Sequence, residues 1–246
     1  METAKALTKE NQWGALVYDD TGYEQTFSVM NGSEDGIYSK DGKRFTLADP
    51  KGIEAVQWAA DLTNKHKVQP GWDILRQQGG LDLFVAGRVG MLYRDNRVVA
   101  QVRKGAKFDW DIVPVPKKVV RKTEGSLVCM GIPRQAKNPD AAWTFLNFVT
   151  SNEGMQVMAK YGQVISPRKS QVRMFLDVNK GQKPEHISLF IDGHNNGTVV
   201  NYTENTERAR QIYRPQLELV YLGQKTAKEV LEGVRPEVEA VLQGKF

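Results

Sequence analysis

The spacing of apolar and polar positions changes several times along the chain, and each change marks an element. From Gly125 to Gly162 the sequence reads GSLVCMGIPRQAKNPDAAWTFLNFVTSNEGMQVMAKYG. Leu127 to Ile132 is an unbroken apolar run, short enough for a buried strand. Pro133 ends it. Asn138-Pro139 then signals a helix start: a side chain able to cap free N–H groups, followed by a ring pre-set for the first turn. Ala142, Phe145, Leu146 and Val149 recur at one-face helical spacing. Ser151 can cap a second short helix, with Met155 and Met158 on one face. Gly162 can close it in the left-handed conformation glycine tolerates.

The rest of the chain alternates in the same way. Trp13–Tyr18, Val89–Tyr93 and Asp111–Val115 read as strands of one sheet flanked by helices, an α/β pattern. Phe27, Val29 and Met30 suggest a helix, and glycine-rich Asn31–Phe45 a loop and hairpin. Asp49-Pro50 opens a helix with Ile53, Val56 and Ala60 on one face. Gln69–Gly80 reads as a loop carrying Trp72. Leu81, Phe84 and Val85 form a short helix closed by Gly87. Asp192–Asn205, rich in Asn, Gly and Thr, reads as irregular. Thr206 opens a helix that Pro215 should kink and Gly223 should end. Thr226 and Glu229 fit a capping box. Ala227, Val230, Leu231, Val234, Val238, Val241 and Leu242 form the apolar stripe of a last helix, interrupted by Pro236.

Composition narrows the class. The 246 residues, 40% hydrophobic and 26% charged, are those of an ordinary globular chain of one large or two small domains. No apolar run approaches the ~20 residues of a membrane span, and METAKALTKENQ lacks the apolar core of a secretion signal. One cysteine excludes an intrachain disulfide and a multi-cysteine zinc site; Cys129, in an apolar run, reads as a buried thiol. The net charge of +5 raises the question of nucleic acid. The clusters Arg103, Lys104, Lys107 and Lys117, Lys118, Arg121, Lys122 are short and lack interleaved aromatics, so a solvated basic loop is the reading and no nucleic-acid partner is expected.

Chemical motifs are sparse. No G-x-S-x-G elbow and no HExxH occurs, and Gly223-Gln-Lys-Thr lacks the upstream glycine of a phosphate loop. His66, His186 and His194 are scattered. Asp19-Asp20 reads as a turn rather than a glycosidase pair. No catalytic residue, cofactor or metal is assigned.

The stretch GIPRQAKNPDAAWTFLNFVTSNEG resembles the strand-helix-helix unit of extracytoplasmic solute-binding proteins of ABC importers, in the sugar-binding group that includes the maltodextrin-binding proteins. ADPKGIEAVQWAADL, LDLFVAGRVGM, DWDIVPVP and the closing LGQKTAKEVL are similar to further hallmarks of that group. The resemblance implies a periplasmic-binding-protein-like lobe with a partial second lobe, type II-like and truncated, because nothing here matches the family's opening βα lobe. It implies domain breaks at 1–122, 123–172 and 173–246, with the middle segment belonging to the other lobe. It implies a non-enzymatic receptor, outside the cytoplasmic membrane, that delivers a solute, a carbohydrate, to a membrane permease; a sugar-acting enzyme on a similar lobe is the alternative. Sugar sites need planar side chains against pyranose faces and hydrogen-bonding groups against hydroxyls. The positions the family pattern points into the cleft are Asp20 and Tyr23, then Arg94, Asp95 and Asn96, then Asn201, Tyr202, Glu204 and Arg210, with Trp72 as a stacking ring. The family often has Gly and Trp where Arg94, Asp95 and Asn96 stand, which allows a charged or smaller solute. Finally, the apolar residues of 125–162 need burial, and self-association through that segment is expected.

Overall fold

The computed structural model describes residues 1–18, 22–125, 129–160 and 165–245. Within them the elements run α1 (Glu2–Leu7), α2 (Glu24–Met30), α3 (Pro50–Asn64), α4 (Trp72–Gln78), α5 (Gly80–Val85), α6 (Val99–Gly105), β1 (Thr123–Glu124), α7 (Pro139–Thr150), α8 (Asn152–Lys160), α9 (Val172–Asn179), α10 (Leu189–His194), β2 (Gly197–Thr198), α11 (Thr206–Tyr221) and α12 (Ala227–Leu242). The chain forms two compact units. Met1–Arg94, Val115–Gly125 and Asn196–Phe246 make the first; Asp95–Pro114 and Ser126–Asn195 make the second. These bounds differ from breaks at 122 and 172. Val99, Phe175 and Ile187 share one apolar cluster, and that packing carries Asp95–Pro114 and residues 173–195 into the second unit.

In the first unit α3, α11 and α12 pack around a core that includes Phe45, Leu47, Ala59, Tyr213, Leu217 and Leu231. Trp13–Tyr18 and Val89–Tyr93 pair in parallel. Trp13 N–H donates to Arg88 O (2.9 Å), Gly90 N–H to Trp13 O (2.9 Å), Leu16 N–H to Met91 O (2.7 Å) and Tyr93 N–H to Leu16 O (2.9 Å). Asp111–Val115 does not join them. It has no assigned secondary structure and no ladder, and Val113 is 82% exposed, so nothing packs on it as a strand neighbour would. Residues 69–80 are not all loop, since α4 starts at Trp72.

Helix ends follow the local chemistry only in part. The capping box at Thr226 and Glu229 is present in both directions. Asp49 precedes Pro50 but makes no side-chain cap. Its carboxylate is drawn instead to Arg235 Nη2 (2.6 Å) and Arg44 Nη2 (3.3 Å). A charged partner outbids a neutral backbone N–H. Gly223 follows α11 at φ +71°, and both α11 and α12 continue through their prolines.

The second unit has a small core around Val99, Phe175 and Ile187. Ser151 Oγ accepts from Gly154 N–H (3.1 Å), as a cap of α8 should. The apolar face of α7 is only partly covered: Ala142, Leu146 and Val149 are half-buried, Phe145 is exposed, and none of the helix's residues is buried. Cys129 is exposed rather than buried, because residues 129–132 form no strand. Leu127, Val128 and Gly162 lie outside the described residues. Residues 192–194 end α10 and 197–198 form β2, so the 192–205 stretch is only partly irregular.

Candidate functional site

The candidate site starts where the parallel pair ends. Beyond Leu16 the first of its two segments loses its partner, and Gln69 replaces it. The buried amide of Gln69 accepts from Val17 N–H (2.8 Å) and donates to Tyr18 O (3.1 Å). Both backbone groups are thereby satisfied at a segment end, where they would otherwise be exposed to desolvation without a partner. The second segment ends at Tyr93 and presents Arg94.

Tyr23 sits just before α2, and Arg94 Nη1 donates to its Oη (3.0 Å). The Tyr23 ring stacks on Phe27 (5.9 Å between centroids) and meets Tyr93 edge-on (5.6 Å, 80°). Burial pushes the Tyr93 phenol up to about 12; the Glu124 carboxylate adds to this, and a hydrogen bond from the Glu124 backbone opposes it. Glu24, 1% exposed on the first turn of α2, accepts from Tyr221 Oη (3.3 Å). A carboxylate there also complements the positive end of the helix.

A second group of candidates lies on the 198–210 stretch of the same unit. Asn201 Nδ2 donates to Tyr38 O (2.8 Å). Tyr202 projects outward, 68% exposed. Glu204 is exposed, and half-buried Arg210 pairs with Glu207 (3.2 Å). Burial pushes the Tyr38 phenol up to about 12 against the opposing pull of its bond to Tyr213 and of Arg210. Gln25 joins the two groups: it bonds to Thr198, to Val199 and to the loop that carries Tyr38.

Of the ten positions singled out in the sequence, Tyr23, Arg94, Asn201, Tyr202, Glu204 and Arg210 lie in the first unit. Asp95 and Asn96 lie in the second, where Asp95 caps a short turn by accepting from Arg97 N–H (2.9 Å) and pairs with its guanidinium (2.6 Å). Asp20 lies outside the described residues. Trp72 needs correction: it is 7% exposed, its ring stacked on Tyr221 (5.2 Å, 17°) beside Tyr18, so its faces are spent on the core. Helix α4 draws it inward, which a loop reading could not foresee. Gln25, Glu24, Tyr93 and Glu124 were missed. The only sequence signal for the first two was adjacency to Tyr23.

Two open pockets lie elsewhere. One of about 930 Å³ is walled by α9 and residues 180–191; one of about 540 Å³ lies between α3 and the start of α12. None of the ten positions lines either. Among the described residues no group of three or more His, Cys, Asp or Glu could hold a metal ion, and no helix is long and apolar enough to cross a membrane.

This architecture is the fold of the solute-binding proteins. An ABC substrate-binding protein of Listeria monocytogenes, solved in complex with cycloalternan, superposes with a TM-score of 0.86 at 18% identity, over 98% of this chain and 62% of that one. The maltose/maltodextrin-binding domain of Bdellovibrio bacteriovorus bound to maltotriose gives 0.74 at 16%, over 99% and 64%. Residues 1–186 match the bacterial extracellular solute-binding proteins, and the chain belongs to that family. A binding protein of Brucella abortus is 21% identical over 210 residues, 84% of this chain; the chain spans half the length of that relative.

Proposed function

We propose that the chain is the solute-binding receptor component of an ABC importer, that its solute is a carbohydrate, and that it works outside the cytoplasmic membrane and delivers that solute to a membrane permease. The observation that carries the reading is half-buried Arg94 at the end of the parallel segments, held in place by the hydroxyl of core-buried Tyr23, with the Tyr202 ring exposed on the same unit. Phenols, a guanidinium and ring faces are what a polyhydroxylated solute needs: donors and acceptors for hydroxyls, flat apolar surface for the C–H faces. Extracellular family membership and the sugar ligands of the structural neighbours support the same choice. The guanidinium of Arg94 extends the expected range to sugars bearing an acidic group.

Calorimetric titration with a panel of malto-oligosaccharides and uronate-bearing oligosaccharides tests this. Saturable heat with intact sugar recovered afterwards is the expected result. Hydrolysis of any panel member would replace the receptor with a sugar-acting enzyme. Binding unchanged by Arg94→Ala would remove the site from its proposed place. Self-association through residues 125–162 is part of the same reading, on the strength of the exposed rings of Trp143, Phe145 and Phe148 on α7.

A further inference from the structure

We propose that Gln25 is the positioning residue that holds the 198–203 strap against α2, so that Tyr202 is presented on the same unit as Tyr23 and Arg94. The side chain is 5% exposed and every polar atom of it is used. Its Oε1 accepts from Ile37 N–H (2.8 Å). Its Nε2 donates to Thr198 Oγ1 (3.2 Å) and to Val199 O (3.0 Å). One amide thus ties three separate stretches of chain: α2, the loop before Tyr38, and the strap that follows β2. Among uncharged side chains only a primary amide offers two N–H donors together with an acceptor oxygen.

The neighbourhood is shaped around it. A Cβ at Gly36 would stand 2.2 Å from Gln25 Nε2, and Gly36 itself has φ +77°. The loop can pass over the amide only because that position is glycine. The strap has three further anchors: Gly125 N–H on Thr198 O (2.8 Å), Asn201 Nδ2 on Tyr38 O, and Thr203 N–H on Thr206 Oγ1 (2.7 Å). Between them Tyr202 has no choice but to face out. Asn201 therefore spends a donor on scaffolding. Of these four anchors, that of Gln25 leads directly back to the helix that follows Tyr23.

This inference rests on the binding role proposed above only for its consequence, and the test separates the two. Hydrogen exchange is followed by mass spectrometry on the full chain and on Gln25→Glu, Gln25→Ala, Thr198→Val and Thr198→Ser. Gln25→Glu keeps the acceptor for Ile37 and loses both donors. Peptides covering 198–203 should then exchange about tenfold faster while those covering 36–38 stay protected. Gln25→Ala should release both. Thr198→Val should speed 198–203 exchange without changing the melting temperature by more than a few degrees, and Thr198→Ser should restore it. Uniform loss of protection across the first unit, or no differential between Thr198→Val and Thr198→Ser, would overturn the assignment. A second arm titrates the panel of malto-oligosaccharides and uronate-bearing oligosaccharides into the wild type and each variant. If the wild type binds, Thr198→Val should weaken it about tenfold and Thr198→Ser should not; equal affinity would remove the positioning role. If the wild type binds no panel sugar while the exchange pattern holds, the carbohydrate reading fails and the strap assignment stands.

Discussion

Helix α7 carries the most consequential prediction. Its sequence, PDAAWTFLNFVT, has one charged residue, and none of its side chains is buried. Trp143, Phe145 and Phe148 are 58%, 60% and 49% exposed, and Met130, Val157 and Met158 lie exposed in the same unit. With aromatic side chains of 150–250 Å² each, this amounts to roughly 600 Å² of apolar surface, at the upper end of what a monomer ordinarily leaves in water. Two copies facing each other would cover about 1,200 Å², the lower bound of stable interfaces. The perturbation is Phe145→Asp. Roughly 100 Å² of its ring is exposed, so covering it is worth about 2.5 kcal/mol per copy. A symmetric pair loses that twice, about 5 kcal/mol, or more than three decades in dissociation constant. The folded monomer should barely notice, within about 0.5 kcal/mol, because the ring is already in water. Sedimentation velocity between 1 and 100 µM, with thermal melting of both forms, reads the two effects separately. A concentration-dependent dimer in the wild type and a monomer of equal melting temperature in the variant are expected. A wild type that stays monomeric at 100 µM with α7 ordered would refute the reasoning. So would a variant that unfolds, because Phe145 would then be part of a core.

Four further outcomes follow from the geometry. Thr226→Ala should cost about 1 kcal/mol in chemical denaturation, because Glu229 N–H loses its acceptor. The Glu229 carboxyl is held below its ordinary range by its bonds to Thr226, so its contribution is present above the usual carboxylate value and lost as pH falls through the lowered folded value; Glu229→Gln should flatten that acid limb of the stability curve. Gly36→Ala should destabilise by about 2 kcal/mol or more, from positive φ and the clash with the Gln25 amide, seen as a lower denaturation midpoint at unchanged slope. Burial pushes the phenols of Tyr18, Tyr38 and Tyr93 up to about 12, so the folded state holds protons the unfolded chain has released; stability should fall as pH rises from 10 towards 12, with the phenolate absorbance lost on substituting these three rings by Phe being the part that appears together with unfolding.

The sequence by itself determined the local elements. Asn138-Pro139, Asp49-Pro50 and the Thr226–Glu229 box each mark a helix start within a residue: the first two through a proline whose fixed φ suits the first turn, with no side-chain cap, and the third through its reciprocal cap. Family resemblance also pointed to Tyr23 and Arg94, whose side chains meet. What each helix touches was not legible. Asp49 has a capping residue's identity but serves Arg235, almost two hundred positions away, and no local rule contains that partner. Trp72 reads the same in a loop or a core until α11 brings Tyr221 against its face. Gln25 is an unremarked polar residue until the loop before Tyr38 and the strap after β2 converge on it. Cys129 and the apolar face of α7 show the limit from the other side: hydrophobic spacing records the need for a partner surface, and only tertiary structure shows whether the described residues supply one.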